Sequence, residues 1–128
     1  MPYDKYLLVV EGEETTASTS PKYSEVCNVQ DYEEIGLYVK EDNTNAIKFT
    51  VEARGAVHSK DSEWTEILDE QPIAQNGHLF IGQTAKELSN YKECELLNEN
   101  WAEIRIKYYD SVNGSHGKVY AWINRRTD

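Results

Sequence analysis

The side chains of this chain that could do chemistry are scattered rather than grouped. His58, Asp61 and Glu63 fall in one polar stretch. Zinc needs His or Cys at defined spacing and hard cations need several oxygens, so one imidazole with two carboxylates fits neither. These three are expected to be a solvated loop, and no metal site is expected. Acid pairs recur at Glu11/Glu13/Glu14, Glu33/Glu34, Glu41/Asp42 and Asp69/Glu70. Paired carboxylates can serve general acid–base chemistry across a cleft, but a chain with 23 acids holds such pairs by chance. His78 and His116 stand alone, and there is no Gly-rich phosphate loop, no Ser at a nucleophile elbow and no metal-spaced His pair. The Asn113-Gly114-Ser115 sequon matters only in a secretory pathway. Cys27 and Cys94 lie far apart and are expected to be free, buried thiols rather than a disulfide. The chain is therefore expected to be no enzyme and to need no cofactor.

The aromatic residues carry more signal. There are nine Tyr and three Trp against two Phe, so most rings combine an apolar body with a polar tip and suit half-buried sheets and interfaces. Tyr38, Tyr120 and Trp122 fall on strand positions that point away from the apolar set. There they could anchor a protein contact or stack on sugar rings. The alternative is that this side of the strands is itself covered by another sheet.

The elements that must position these residues are strands. Trp101 to Tyr108 alternates, with Ala102, Ile104, Ile106 and Tyr108 on one side and Glu103, Arg105 and Lys107 on the other. Val119, Ala121 and Ile123 alternate with Lys118, Tyr120, Trp122 and Asn124. Period two means each run buries one face of a sheet. With Asn113-Gly114 between them, the two runs predict a closing hairpin. A second hairpin is predicted from Ile35, Leu37 and Val39, the turn Glu41 to Asn45, and Ile47, Phe49, Val51 and Ala53. Shorter strands are predicted at Ser24 to Gln30, Trp64 to Leu68 and His78 to Ile81, with Asp69 to Asn76 as a connection. Thr84 to Asn98 reads as a short helix, an irregular connection or a strand. Leu7, Leu8, Val9 and Val10 are apolar on both faces. They form either a central strand or an arm that adds to a neighbour's sheet.

Together these segments predict an all-β fold: an antiparallel two-sheet β-sandwich, jelly-roll or immunoglobulin-like, of about eight short strands with at most one short helix. Ile104, Ile106, Val119, Ile123, Phe49, Val51, Leu37 and Val39 are its expected core. Residues 1–22 are expected to be a strand and mobile loop able to act as an arm, and residues 23–128 the sandwich. A net charge of −10 without a basic stripe argues against nucleic-acid binding. No run approaches the ~20 apolar residues of a spanning helix, so no membrane partner is expected. The N-terminal stretch lacks the basic and cleavage regions of a signal peptide, which, with two cysteines expected to be free, predicts synthesis and folding in a reducing cytoplasm.

The segments Ile35-Gly-Leu-Tyr-Val-Lys, Asn43-Thr-Asn-Ala-Ile-Lys-Phe-Thr-Val-Glu-Ala53 and Glu63-Trp-Thr-Glu-Ile67, with the ending Trp101-Ala-Glu-Ile-Arg-Ile-Lys and Asn113-Gly-Ser-His-Gly-Lys-Val-Tyr-Ala-Trp-Ile-Asn-Arg125, resemble small β-sandwich structural proteins of tailed-phage virions. The resemblance covers roughly residues 35 to 126, and discoidin-like and other carbohydrate-binding sandwiches share the same features. It implies a structural role in the virion as a capsid decoration (cement) protein or a neck or tail component. Its partners would be other virion proteins and further copies of itself, with Leu7 to Val10, Tyr38, Tyr120 and Trp122 as contact residues. A surface glycan bound by the aromatics is the competing expectation.

Overall fold

A computed structural model describes residues 7–56, 63–82, 91–98 and 101–126. Its strands are β1 (Leu7–Glu14), β2 (Lys22–Tyr23), β3 (Cys27–Asn28), β4 (Glu34–Glu41), β5 (Ile47–Ala56), β6 (Thr65–Ile73), β7 (His78–Gly82), β8 (Tyr91–Glu93), β9 (Trp101–Asp110) and β10 (Lys118–Arg126). A 3-10 turn, Glu95–Asn98, precedes β9. Sheet A is five-stranded in the order β1-β10-β4-β7-β8; sheet B runs β2-β9-β5-β6, with β3 also paired to β9. Every pair is antiparallel except β7–β8. The pairs nest: β5 with β6, β4 with β7, β2 and β3 with β9, β1 with β10. That is one long hairpin rolled over into two facing sheets, the jelly-roll form of the sandwich.

The expected core is the observed one. Leu37, Val39, Val119 and Ile123 from sheet A face Phe49, Val51, Ile104 and Ile106 from sheet B, all buried. Each such apolar side chain is worth about 1.5–3 kcal/mol on burial. The two expected hairpins are corrected: β4 lies in sheet A and β5 in sheet B, and β9 and β10 are likewise split. Both connections cross between sheets. Alternation cannot tell a strand paired beside its predecessor from one stacked across the core, because both bury the same face. The genuine sequence-adjacent antiparallel pair is β5–β6.

Three further segments are resolved by the structure, the first against expectation. The connection expected at Asp69 to Asn76 is strand as far as Ile73. Its ladder to β5 shifts register near Val51, and Glu70 takes φ 30°. Pro72 is tolerated because β6 is an edge strand. The helix considered for Thr84 to Asn98 is, over its described part, strand β8 and the 3-10 turn that sends Cys94 and Leu97 into the core. Finally, Leu7 to Val10 opens edge strand β1, hydrogen-bonded to β10. Register shifts between Leu8 and Val10 and between Glu11 and Glu13 mark irregularities that twist an edge away from further pairing. The first lets Val9 and Val10 both turn inward, while Leu8 stays 39% exposed on the other side. Cys27 and Cys94 are both buried as thiols rather than joined in a disulfide.

Candidate functional site

The outer face of sheet A is where the singled-out aromatics meet. On β10, Val119, Ala121 and Ile123 are fully buried, so Tyr120 and Trp122 must point outward, and on β4 Tyr38 does the same between buried Leu37 and Val39. The ladders then align one residue from each strand: Leu8 opposite Trp122, Trp122 opposite Tyr38, Tyr38 opposite Phe80, Phe80 opposite Tyr91. This row crosses all five strands without a charged or purely polar side chain. Tyr38 lies 5.4 Å from Trp122 and 4.5 Å from Phe80 between ring centroids, and Tyr120 stacks along Trp122 at 6.1 Å. Such cross-strand aromatic contacts contribute ~0.5–1.5 kcal/mol each beyond burial. The rings are half-buried by one another, with an outer side open to solvent.

The two flanks of the row differ. On one side Tyr120, Lys40 and His78 stand in register, with the Lys40 ammonium 5.3 Å from the Tyr120 ring. The Tyr120 hydroxyl lies where a side chain at Gly12, φ 63°, would be, so that glycine is required by both backbone and space. On the other side Asn124 pairs with Gly36, and Gly82 carries the Tyr91 hydroxyl above it. Of the seven residues expected to make partner contacts, Tyr38, Tyr120, Trp122 and Leu8 share this face. Leu7 packs on the core edge, and Val9 and Val10 are inside the sandwich. Phe80 and Tyr91 were missed, because His78 to Ile81 and the stretch before Cys94 have too few residues to fix a phase.

A second constellation lies at one end of the sandwich. Glu41, 1% exposed, accepts hydrogen bonds from the backbone of Thr44, Asn76 (2.7 Å) and Lys118 and from the Thr44 hydroxyl. Burial alone would raise its pKa, but these donors outweigh it and hold the carboxyl below its ordinary range. Asp110, 2% exposed, is its counterpart at the end of β9. It accepts from Thr15 Oγ1 (2.5 Å) and Gly114 N, and meets His116 Nδ1 at 3.0 Å. Here too burial opposes ionisation, and the Thr15 and His116 hydrogen bonds prevail and lower the pKa. The hydrogen bond to Asp110 in turn raises that of the His116 imidazole.

Thr, His and Asp together invite a catalytic reading, and the geometry argues against it. The Thr15 hydroxyl donates to the carboxylate and accepts from Gly117 N, so the imidazole is not its base. The cluster instead ties the 15–18 segment to the loop before β10, helped by Ser18 N on Asn113 Oδ1. Both acids had a sequence signal: they occupy the inward phase next after Ile35, Leu37, Val39 and after Ile104, Ile106, Tyr108. His58 and Asp61 lie outside the described residues, and Glu63 is exposed just before β6. Among the described residues no group of three or more His, Cys, Asp or Glu could hold a metal ion, and no helix is long and apolar enough to cross a membrane.

Compared with known proteins, the chain matches no family model, no curated protein and no solved structure.

Proposed function

We propose that this chain is a non-enzymatic structural subunit of a phage virion, a capsid decoration or neck/tail component, whose contacts run through the outer face of sheet A. The observation that carries the contact surface is the uncharged row Leu8, Trp122, Tyr38, Phe80, Tyr91 on a protein of net charge −10. Aromatic residues enriched at a site from which charge is depleted are the composition of an interface core. The virion setting rests on the resemblance of residues 35–126, and the jelly roll is compatible with it because capsid and lectin domains both use that fold. In this reading the chain is made in the host cytoplasm and joins the particle with other virion proteins. Quantitative mass spectrometry of particles grown with Tyr38→Ser or Trp122→Ser tests it. Occupancy should fall sharply for both, and unchanged occupancy of folded variants would refute the reading.

One observation favours a second reading, a glycan-binding module. Asn124 adjoins Trp122 on this face, with the side-chain-free Gly36 across from it, so a sugar ring stacked there would find a side-chain amide beside it. Binding on a glycan array that is lost in Trp122→Ser would select this reading over the first.

A further inference from the structure

The chain holds two Asn-Gly dipeptides, Asn76-Gly77 and Asn113-Gly114, and both asparagines are exposed. In such a pair the main-chain nitrogen of the glycine can attack the side-chain amide carbon of the asparagine and close a succinimide ring, because glycine has no side chain to shield that nitrogen. Two events limit the closure. The attacking nitrogen has to give up its proton, and the amide oxygen has to take on negative charge.

At Asn113 the fold provides for both. Gly114 N–H donates to Asp110 Oδ2 at 3.1 Å, so the nitrogen that must lose a proton already points it at a carboxylate. Asp110 is 2% exposed and is held in place by Thr15 Oγ1 and His116 Nδ1. Its lowered pKa keeps it ionised, and so able to accept, at neutral pH. Ser18 N–H donates to Asn113 Oδ1 at 3.0 Å, on the atom where the oxyanion would form. Among the described residues a side chain at Gly114 would meet nothing within 4 Å, so the loop has room to bring amide and nitrogen together. Asn76 is the contrast. Gly77 N–H donates to the Ala74 carbonyl oxygen at 2.8 Å, which is no base, and Asn76 itself is held at φ 58°.

We propose that Asn113 is a self-modification site, at which Gly114 N closes on the Asn113 side chain with Asp110 as proton acceptor and Ser18 N–H as oxyanion donor. The bond from Gly114 N to Asn113 Cγ forms and the Cγ–Nδ2 bond breaks. One proton leaves Gly114 N and one is gained by the departing nitrogen, which is released as ammonia. Water then opens the ring at either carbonyl and leaves aspartate or isoaspartate at position 113. No group is oxidised or reduced. A carboxylate held below its ordinary range is a weak base, which suits a slow event that happens once per chain rather than turnover. The product adds a carboxylate beside Asp110, and its isoaspartate form lengthens the main chain where Ser18 is tied to the loop before β10.

Peptide mapping by mass spectrometry tests this on the full chain incubated at neutral pH, folded and in guanidinium chloride. Unfolded, the two Asn-Gly pairs should exchange ammonia for water at comparable rates. Folded, Asn113 should convert at least ~10-fold faster than Asn76. Asp110→Asn removes the proton acceptor. Ser18→Pro removes the N–H at the second position of the turn closed by Ser20 N on the Ala17 carbonyl, where proline is favoured. Each variant that folds should bring Asn113 down toward the rate of Asn76, and Ser18→Pro decides the matter if Asp110→Asn does not fold. An Asn113 that converts no faster than Asn76 in the folded chain overturns the proposal, as does a lead that survives in the folded variants. Either result leaves the contact surface on sheet A untouched.

Discussion

The two outer faces of this sandwich are built from similar residues and end in opposite conditions. On sheet B, Glu52 meets Arg105 at 2.7 Å and Lys107 at 3.8 Å, Arg54 meets Glu103 at 2.7 Å, and Lys107 reaches Glu66. Its aromatic rings are consumed as well: Trp64 lies against both Arg54 and Arg105, and Arg105 also covers Tyr23. Each of these charges has an opposite, and Trp64 and Tyr23 each have a guanidinium, which is why Glu52 is only 6% exposed although it points away from the core. On sheet A the rings have mainly each other, and the row they form is open on its solvent side. The lesson is that aromatic residues on an outer face do not by themselves mark a contact surface. What separates the faces is whether the chain supplies the rings' partners.

The predictions follow from that difference. The largest effect is expected in acid, where the frame common to both faces is lost. Glu41 and Asp110 both have lowered pKa values, so their stabilisation is present above the ordinary values of 4.5 and 3.8 and disappears as pH falls through the folded values. His116 works in the opposite sense: its raised pKa adds stability below 6.5 that is lost as pH rises through the folded value. Thermal unfolding against pH should therefore peak on the mildly acidic side of neutrality and fall steeply below about 4. Glu41→Gln should flatten the acid limb.

Next in size is Glu52→Ala, which takes the carboxylate from Arg105 on sheet B, while Lys107 keeps Glu66 at 3.1 Å. It should cost about 2–3 kcal/mol in urea unfolding, somewhat less than a fully buried pair because both partners retain solvent. Contacts made by sheet A should not change. Trp122→Ala should show the reverse profile, losing only about 1–2 kcal/mol of stability but most of the association. Equal effects of the two substitutions on association would erase the distinction between the faces. Salt gives the smallest effect. Molar NaCl should lower stability by at most about 0.5 kcal/mol by screening exposed pairs such as Lys48–Glu70 and Lys22–Glu13. It should leave a contact through the uncharged row intact.

Much of this arrangement was legible in the chain. Alternation identified the core side of β4, β5, β9 and β10, and hence the outward setting of Tyr38, Tyr120 and Trp122. Strand partnership was not legible, since the turn residues before Ile47 and around Gly114 serve a crossing between sheets as well as a tight hairpin. Val9 and Val10 misled for a related reason: an irregular ladder places two consecutive side chains inward, which period two cannot represent. The charged face of sheet B was hidden because its pairs join residues far apart in sequence, as with Glu52 and Arg105.

Hydroxyl-radical footprinting of the free chain and of its assembled form tests the contrast between the faces most directly. The account predicts that Trp122, Tyr38 and Phe80 become protected on assembly, while Trp64 and Tyr23 react as they do in the free chain. Protection of Trp64 and Tyr23, with Trp122 still reactive, would contradict it and move the contact surface to sheet B.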